Sequence, residues 1–175
     1  SLFSAGGRLV PLLVGMALML YAAAQAVRQR KDPRRLILWG ALHDAGIVCL
    51  GLGAATAIGA TGLWLFILFQ VATRGLAWTA LGRLTSTCRA GSACSQGPVQ
   101  ASRLSGSGQR HPWTAALFAL GLLASVGGSP FLLPEARLFI NAAVLEAIPG
   151  GLTGLLVIIL STPVIMATWF APALV

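Results

Sequence analysis

Residues 63–82, LWLFILFQVATRGLAWTALG, form an apolar run with Arg74 well inside it and Gln70 one helical turn earlier. About twenty residues rise roughly 30 Å as a helix, the thickness of a bilayer's hydrocarbon core. A guanidinium within such a run stays charged at any physiological pH. It must therefore meet an acid, a cavity or a neighbouring helix, which limits the fold to one in which helices gather around it.

Other runs of helix length lie at Leu9–Val27, Leu36–Ile58 and Trp113–Val126, with a shorter one at Glu135–Ile148 and a last one at Leu152–Phe170, kinked at Pro163. Only 9% of residues are charged and 57% are hydrophobic, whereas charged residues make up about a quarter of a soluble domain. None of the runs alternates as a barrel strand does. The expected fold is all-α, a polytopic transmembrane helical bundle of about six helices, one of them interrupted near Pro130. Residues 1–82 are expected to hold three spans, with Asp32-Pro33 opening the second and a turn at Gly59–Thr61 before the third. Residues 83–112 are rich in Ser, Gly, Thr, Gln and Arg and read as a polar flexible loop. Residues 113–175 are expected to hold the other helices, with a broken segment at 127–137, GGSPFLLPEAR.

The formal charge of +8 is concentrated in loop 28–35 and around 83–112. Basic residues beside spans mark the cytoplasmic side, so both loops are expected there, on a bacterial inner membrane, with anionic lipids as partners. Three spans before the long loop and three after it put Ser1 and Val175 on the outer face. Nucleic acid is excluded as a partner because no aromatic residues are interleaved with the basic ones. Cys88 and Cys94 share a C-x5-C spacing that suits no common zinc or iron–sulfur site, and they are expected as reduced thiols. No metal, cofactor or catalytic set is expected, so the chain is not catalytic alone. It opens at Ser1 without the pattern of a signal peptide and is read as beginning inside a longer polypeptide.

The functional signal lies in polar residues within the runs: His43, Asp44, Gln70, Arg74 and Glu146 form the expected ion path or intramembrane charge network. His43 and Asp44 are adjacent and point about 100° apart on a helix, so each is expected to need its own partner. Asp44 with Arg74 is the expected pair, either as a clamp between helices or as one step of a conducting chain. Glu146 lies near a helix end, within reach of interfacial water. Gly128, Pro130, Glu135 and Arg137 belong to the broken region, where Glu135 and Arg137 are expected as an interfacial charge pair. The glycines of GIVCLGLGAATAIGATG permit close helix approach, and Trp64, Trp113 and Trp169 read as interfacial anchors.

Three ordered motifs carry a resemblance. AVRQRKDPRRLILWGALHDAGIVCLGLG resembles a segment of antiporter-like membrane subunits in which a polar turn leads into a Gly-rich helix, with Asp32, Arg34, Arg35, Leu38 and Gly46 matching in order. The next helix places Gln70 and Arg74 where those subunits carry a membrane His and Lys, with Gly82 and Leu84 in register. ALGLLASVGGSPFLLPEARLF matches a third motif at Gly128, Pro130, Phe131 and Arg137. Such subunits occur in proton-translocating NADH:quinone oxidoreductase, multi-subunit sodium/proton antiporters and membrane-bound hydrogenases. The resemblance implies a reduced or partial member, held among other membrane subunits and bordering or contributing to a proton or sodium path. Family members are far longer, and Trp39, Gly40 and Ala41 replace a Tyr-Ser-Ser element. Arg74 keeps a charge that a Lys would carry but cannot cycle its proton. The competing expectation is a non-conducting scaffold subunit of a respiratory or photosynthetic complex.

Overall fold

A computed structural model of the chain describes residues 5–29, 32–90, 111–126 and 133–147, together with four residues between 156 and 162. Among the described residues the structure is helical, with no strand: α1 (Ala5–Arg28), α2 (Pro33–Ala54), α3 (Ala57–Ala90), α4 (Pro112–Val126) and α5 (Leu133–Ala147). The first three are each long and apolar enough to cross a membrane. The sixth helix expected at 152–170 falls largely outside the described residues, as do Gly128 and Pro130.

The helix boundaries follow from local chemistry. Asp32 caps α2, its Oδ1 accepting from the backbone N–H groups of Arg34 at 3.0 Å and Arg35 at 3.4 Å. Pro33 then occupies the first turn, where its missing N–H costs nothing. α2 ends at Ala55, which adopts the left-handed conformation with φ 49° and ψ 37°. The Thr56 Oγ1 accepts from the Gly59 N–H at 3.0 Å and so starts α3. The turn expected at Gly59–Thr61 therefore sits a few residues earlier, because a left-handed Ala and a capping Thr make the break and leave the glycines helical. A residue with a Cβ is strained at this φ, so Ala55→Gly is expected to raise stability by about 1 kcal/mol, read from denaturant unfolding of the purified chain. No change, or a loss, would show that the break is held by something other than this cap.

α3 spans 34 residues, about 51 Å at the usual helical rise. It continues through residues 83–90, which were expected to belong to the polar loop. The Thr85 and Ser86 hydroxyls bond back to the carbonyls of Gly82 and Arg83, each at 2.9 Å, and Leu84 and Thr85 are buried. Side-chain satisfaction and packing thus override the polar composition. α5 likewise begins at Leu133 rather than Glu135, taking Pro134 into its first turn, so residues 133–137 of the expected broken segment are helical.

α2 packs along α1 in antiparallel fashion and also meets α3 and α5, while α3 packs on α4 and α5. Two apolar layers result. One joins Leu12 and Met19 of α1, Ile47 and Leu50 of α2, Leu63 and Phe66 of α3, and Ile140 and Val144 of α5. The other joins Ala23, Ala26, Leu36, Ile37, Ala77 and Leu81, with Phe118 and Leu122 of α4 against them. Between these layers α2 carries His43 and Asp44, and α3 carries Gln70 and Arg74. The outer surface is itself apolar, exposing Leu9, Val10, Leu13, Trp64, Leu68, Val71 and Trp113 among others, which water would penalise and acyl chains would not.

Candidate functional site: a buried charge cluster

Asp44 lies near the middle of α2's 22 residues, held between arginines from two other helices. The Arg74 Nε donates to Asp44 Oδ2 at 3.0 Å, and an Arg74 terminal nitrogen closes on the same oxygen. Its other terminal nitrogen donates to the Ile37 backbone carbonyl at 2.8 Å. Arg74 therefore grips α2 at two points nearly two helical turns apart. From α5, an Arg137 terminal nitrogen stands 3.5 Å from Asp44 Oδ1, with the guanidinium carbon 5.6 Å from the centre of the Phe66 ring, a cation–π distance. The side chains are only 9% exposed for Asp44 and 13% for each arginine, so solvent screens these charges weakly.

The expected Asp44–Arg74 contact is thus present. The His43 Nδ1 also approaches Asp44 Oδ1 to 3.7 Å, so the adjacent side chains come near each other despite their angular offset. That distance is an electrostatic contact, longer than a hydrogen bond. Arg137, expected beside Glu135 at an interface, is directed into the bundle toward Asp44, while the partner expected for it falls outside the described side chains. Ala136, Ile140, Ala143 and Val144 are buried, and Arg137 shares their helical face. The signal was present in this spacing, but the glycines and prolines just before it suggested a break. The Ile37 carbonyl left no trace in the side-chain sequence.

Gln70 is buried one turn before Arg74 and accepts from the Thr73 hydroxyl at 3.2 Å. Glu146 is exposed on α5, roughly 13 Å along the helix from Arg137, and is not brought to the cluster. The Glu135 side chain, Gly128 and Pro130 lie outside the described residues. Among the described residues no three His, Cys, Asp or Glu side chains converge to hold a metal ion.

The arrangement can fix three helices around one carboxylate and hold positive charge in a buried layer. The arginines stay charged at physiological pH and so cannot relay protons. No family model, curated protein or solved structure matches this chain.

Proposed function

We propose that the chain is a membrane subunit of an energy-converting assembly of the complex-I-like, antiporter-like or membrane-hydrogenase kind, in which the Asp44 cluster borders a proton or sodium path. In this reading it is a polytopic bundle of about six helices, with residues 152–170 supplying the last, set in a bacterial inner membrane with its basic loops toward the cytoplasm. The observation that carries the proposal is the polar layer itself. Asp44, His43 and Arg74 come together between two apolar layers inside two helices long enough to span, and Arg137 joins them from α5. Charges are retained at such depth when they have partners and a use. One carboxylate beside two guanidiniums leaves a formal excess of one positive charge, a fixed field that would set the energy of an ion passing nearby. The arginines therefore shape a path without themselves shuttling protons. The ordered motif resemblance supports the choice of assembly.

The test uses Arg137→Gln, which removes the excess positive charge and leaves the Asp44–Arg74 pair in place. Ion pumping by inverted membrane vesicles is expected to fall severalfold while the complex still assembles on native gels. Intact assembly with unaltered pumping would end the ion-path reading. The second reading, a non-conducting scaffold, is favoured by the way both oxygens of Asp44 are engaged while Arg74 also holds a backbone carbonyl. Under it, Arg137→Gln lowers the yield of assembled complex and leaves pumping per complex unchanged.

A further inference from the structure

Where α1 gives way to α2, a second polar group lies apart from the Asp44 cluster. Gln29 Oε1 accepts from an Arg35 terminal nitrogen and from the Trp39 indole N–H, each at 3.2 Å. The Asp32 Oδ2 lies 3.3 Å from Arg35 Nε, so the guanidinium is positioned from both sides while its side chain remains 61% exposed. Arg28 and Arg34 are exposed beside it. Deeper in the bundle, Tyr21 and Trp39 meet edge to face, with centroids 5.8 Å apart and planes at 82°, and exposed Leu20 and Leu38 continue the surface.

The order along the helix axes is cations outermost, amphipathic aromatics about 6–10 Å further in, and aliphatic side chains beside and beyond them. A phospholipid presents the same order of chemistry, with a phosphate, then ester carbonyls, then acyl chains. Guanidinium groups make charge-assisted bonds to phosphate oxygens, and Trp and Tyr settle at the level of the headgroups. Arg28, Arg34 and Arg35 outnumber the one acid, Asp32, and the sequence places Arg30 and Lys31 between them. This corner therefore favours a net negative lipid over a zwitterionic one.

We propose that the α1–α2 corner formed by Arg28, Gln29, Arg34, Arg35, Tyr21 and Trp39 seats the headgroup of an anionic phospholipid from the surrounding leaflet. The proposal rests on the membrane reading above and is independent of any ion path. Its test uses the full chain in phosphatidylcholine vesicles with Trp64→Phe, Trp78→Phe, Trp113→Phe and Trp169→Phe, which leave Trp39 as the single fluorophore. Brominated phosphatidylglycerol is expected to quench Trp39 at lower mole fraction than brominated phosphatidylcholine. Arg34→Gln and Arg35→Gln should each weaken that preference about fivefold, the factor corresponding to ~1 kcal/mol per basic residue at a membrane surface, with circular dichroism confirming unchanged helix content. Equal quenching by the two lipids, or a preference that survives both substitutions, overturns the assignment. So does displacement of the brominated lipid by inorganic phosphate, which identifies a soluble-anion site. A chain that does not enter the vesicles at all refutes the membrane reading instead, which separates the two failures.

Discussion

Asp44→Asn is expected to destabilise the purified chain by about 3–5 kcal/mol, the usual cost of removing one partner from a buried ion pair. The magnitude follows from what is left behind. Arg74 and Arg137 are each 13% exposed, and without the carboxylate they face each other as like charges in a layer that water barely screens. An amide can still accept a hydrogen bond, but it supplies no negative charge. Arg137→Gln is expected to cost less, because its approach to Asp44 is the longer one at 3.5 Å. The paired Asp44→Asn/Arg74→Gln variant should cost less than the sum of its parts, since neither partner is then left alone. Denaturant titration in micelles, followed by tryptophan fluorescence, measures these variants, the Arg74→Gln single variant and the wild type on one scale. Asp44→Asn unfolding at the wild-type midpoint would mean that the carboxylate is not the hub of this layer.

The second large effect is expected where α1 and α2 touch backbone to backbone. A Cβ on Gly15 would sit 2.7 Å from the Gly46 carbonyl oxygen, and one on Gly46 would sit 2.5 Å from Met19 Cγ and 2.8 Å from the Gly15 carbonyl oxygen. Carbonyl oxygens in helices cannot step aside as a flexible side chain can, so the helices must separate. Gly15→Ala is expected to cost about 1–3 kcal/mol, the usual range for an overpacked site, and Gly15→Val more. Opening this contact also loosens Leu12, Met19, Ile47 and Leu50, which share one apolar layer. Once the helices have parted, a second methyl adds little, so Gly15→Ala with Gly46→Ala should be less than additive. Gly75 is the matched control: a Cβ there meets nothing within 4 Å, and Gly75→Ala should be neutral or stabilising by up to about 1 kcal/mol. Equal gains at Gly15 and Gly75 would show that helix propensity, and not the close approach, governs both sites.

Much of the fold was legible because it depends on neighbours in the chain. Length and apolarity mark three helices able to span, the Asp32-Pro33 cap opens α2 where expected, and the small residues at Gly46, Gly51, Gly53, Gly59 and Gly62 do lie at close helix contacts. The boundaries that shifted were those where composition and packing disagree. Residues 83–90 read as a loop by composition but are helical because Leu84 and Thr85 are buried and the hydroxyls of Thr85 and Ser86 have carbonyl partners.

In the cluster, the sequence by itself determined that Arg74 needed an acid and that Asp44 was the economical choice, because the energy of a buried charge leaves few alternatives. The tertiary structure alone decided that Arg137 joins them from α5, that Phe66 lies beneath it, that His43 turns toward the same carboxylate, and that the Ile37 carbonyl receives a further N–H. Those partners stand up to 93 residues apart in the chain, and which side chains meet across such a separation is set by how the helices cross and rotate, quantities that no local pattern encodes.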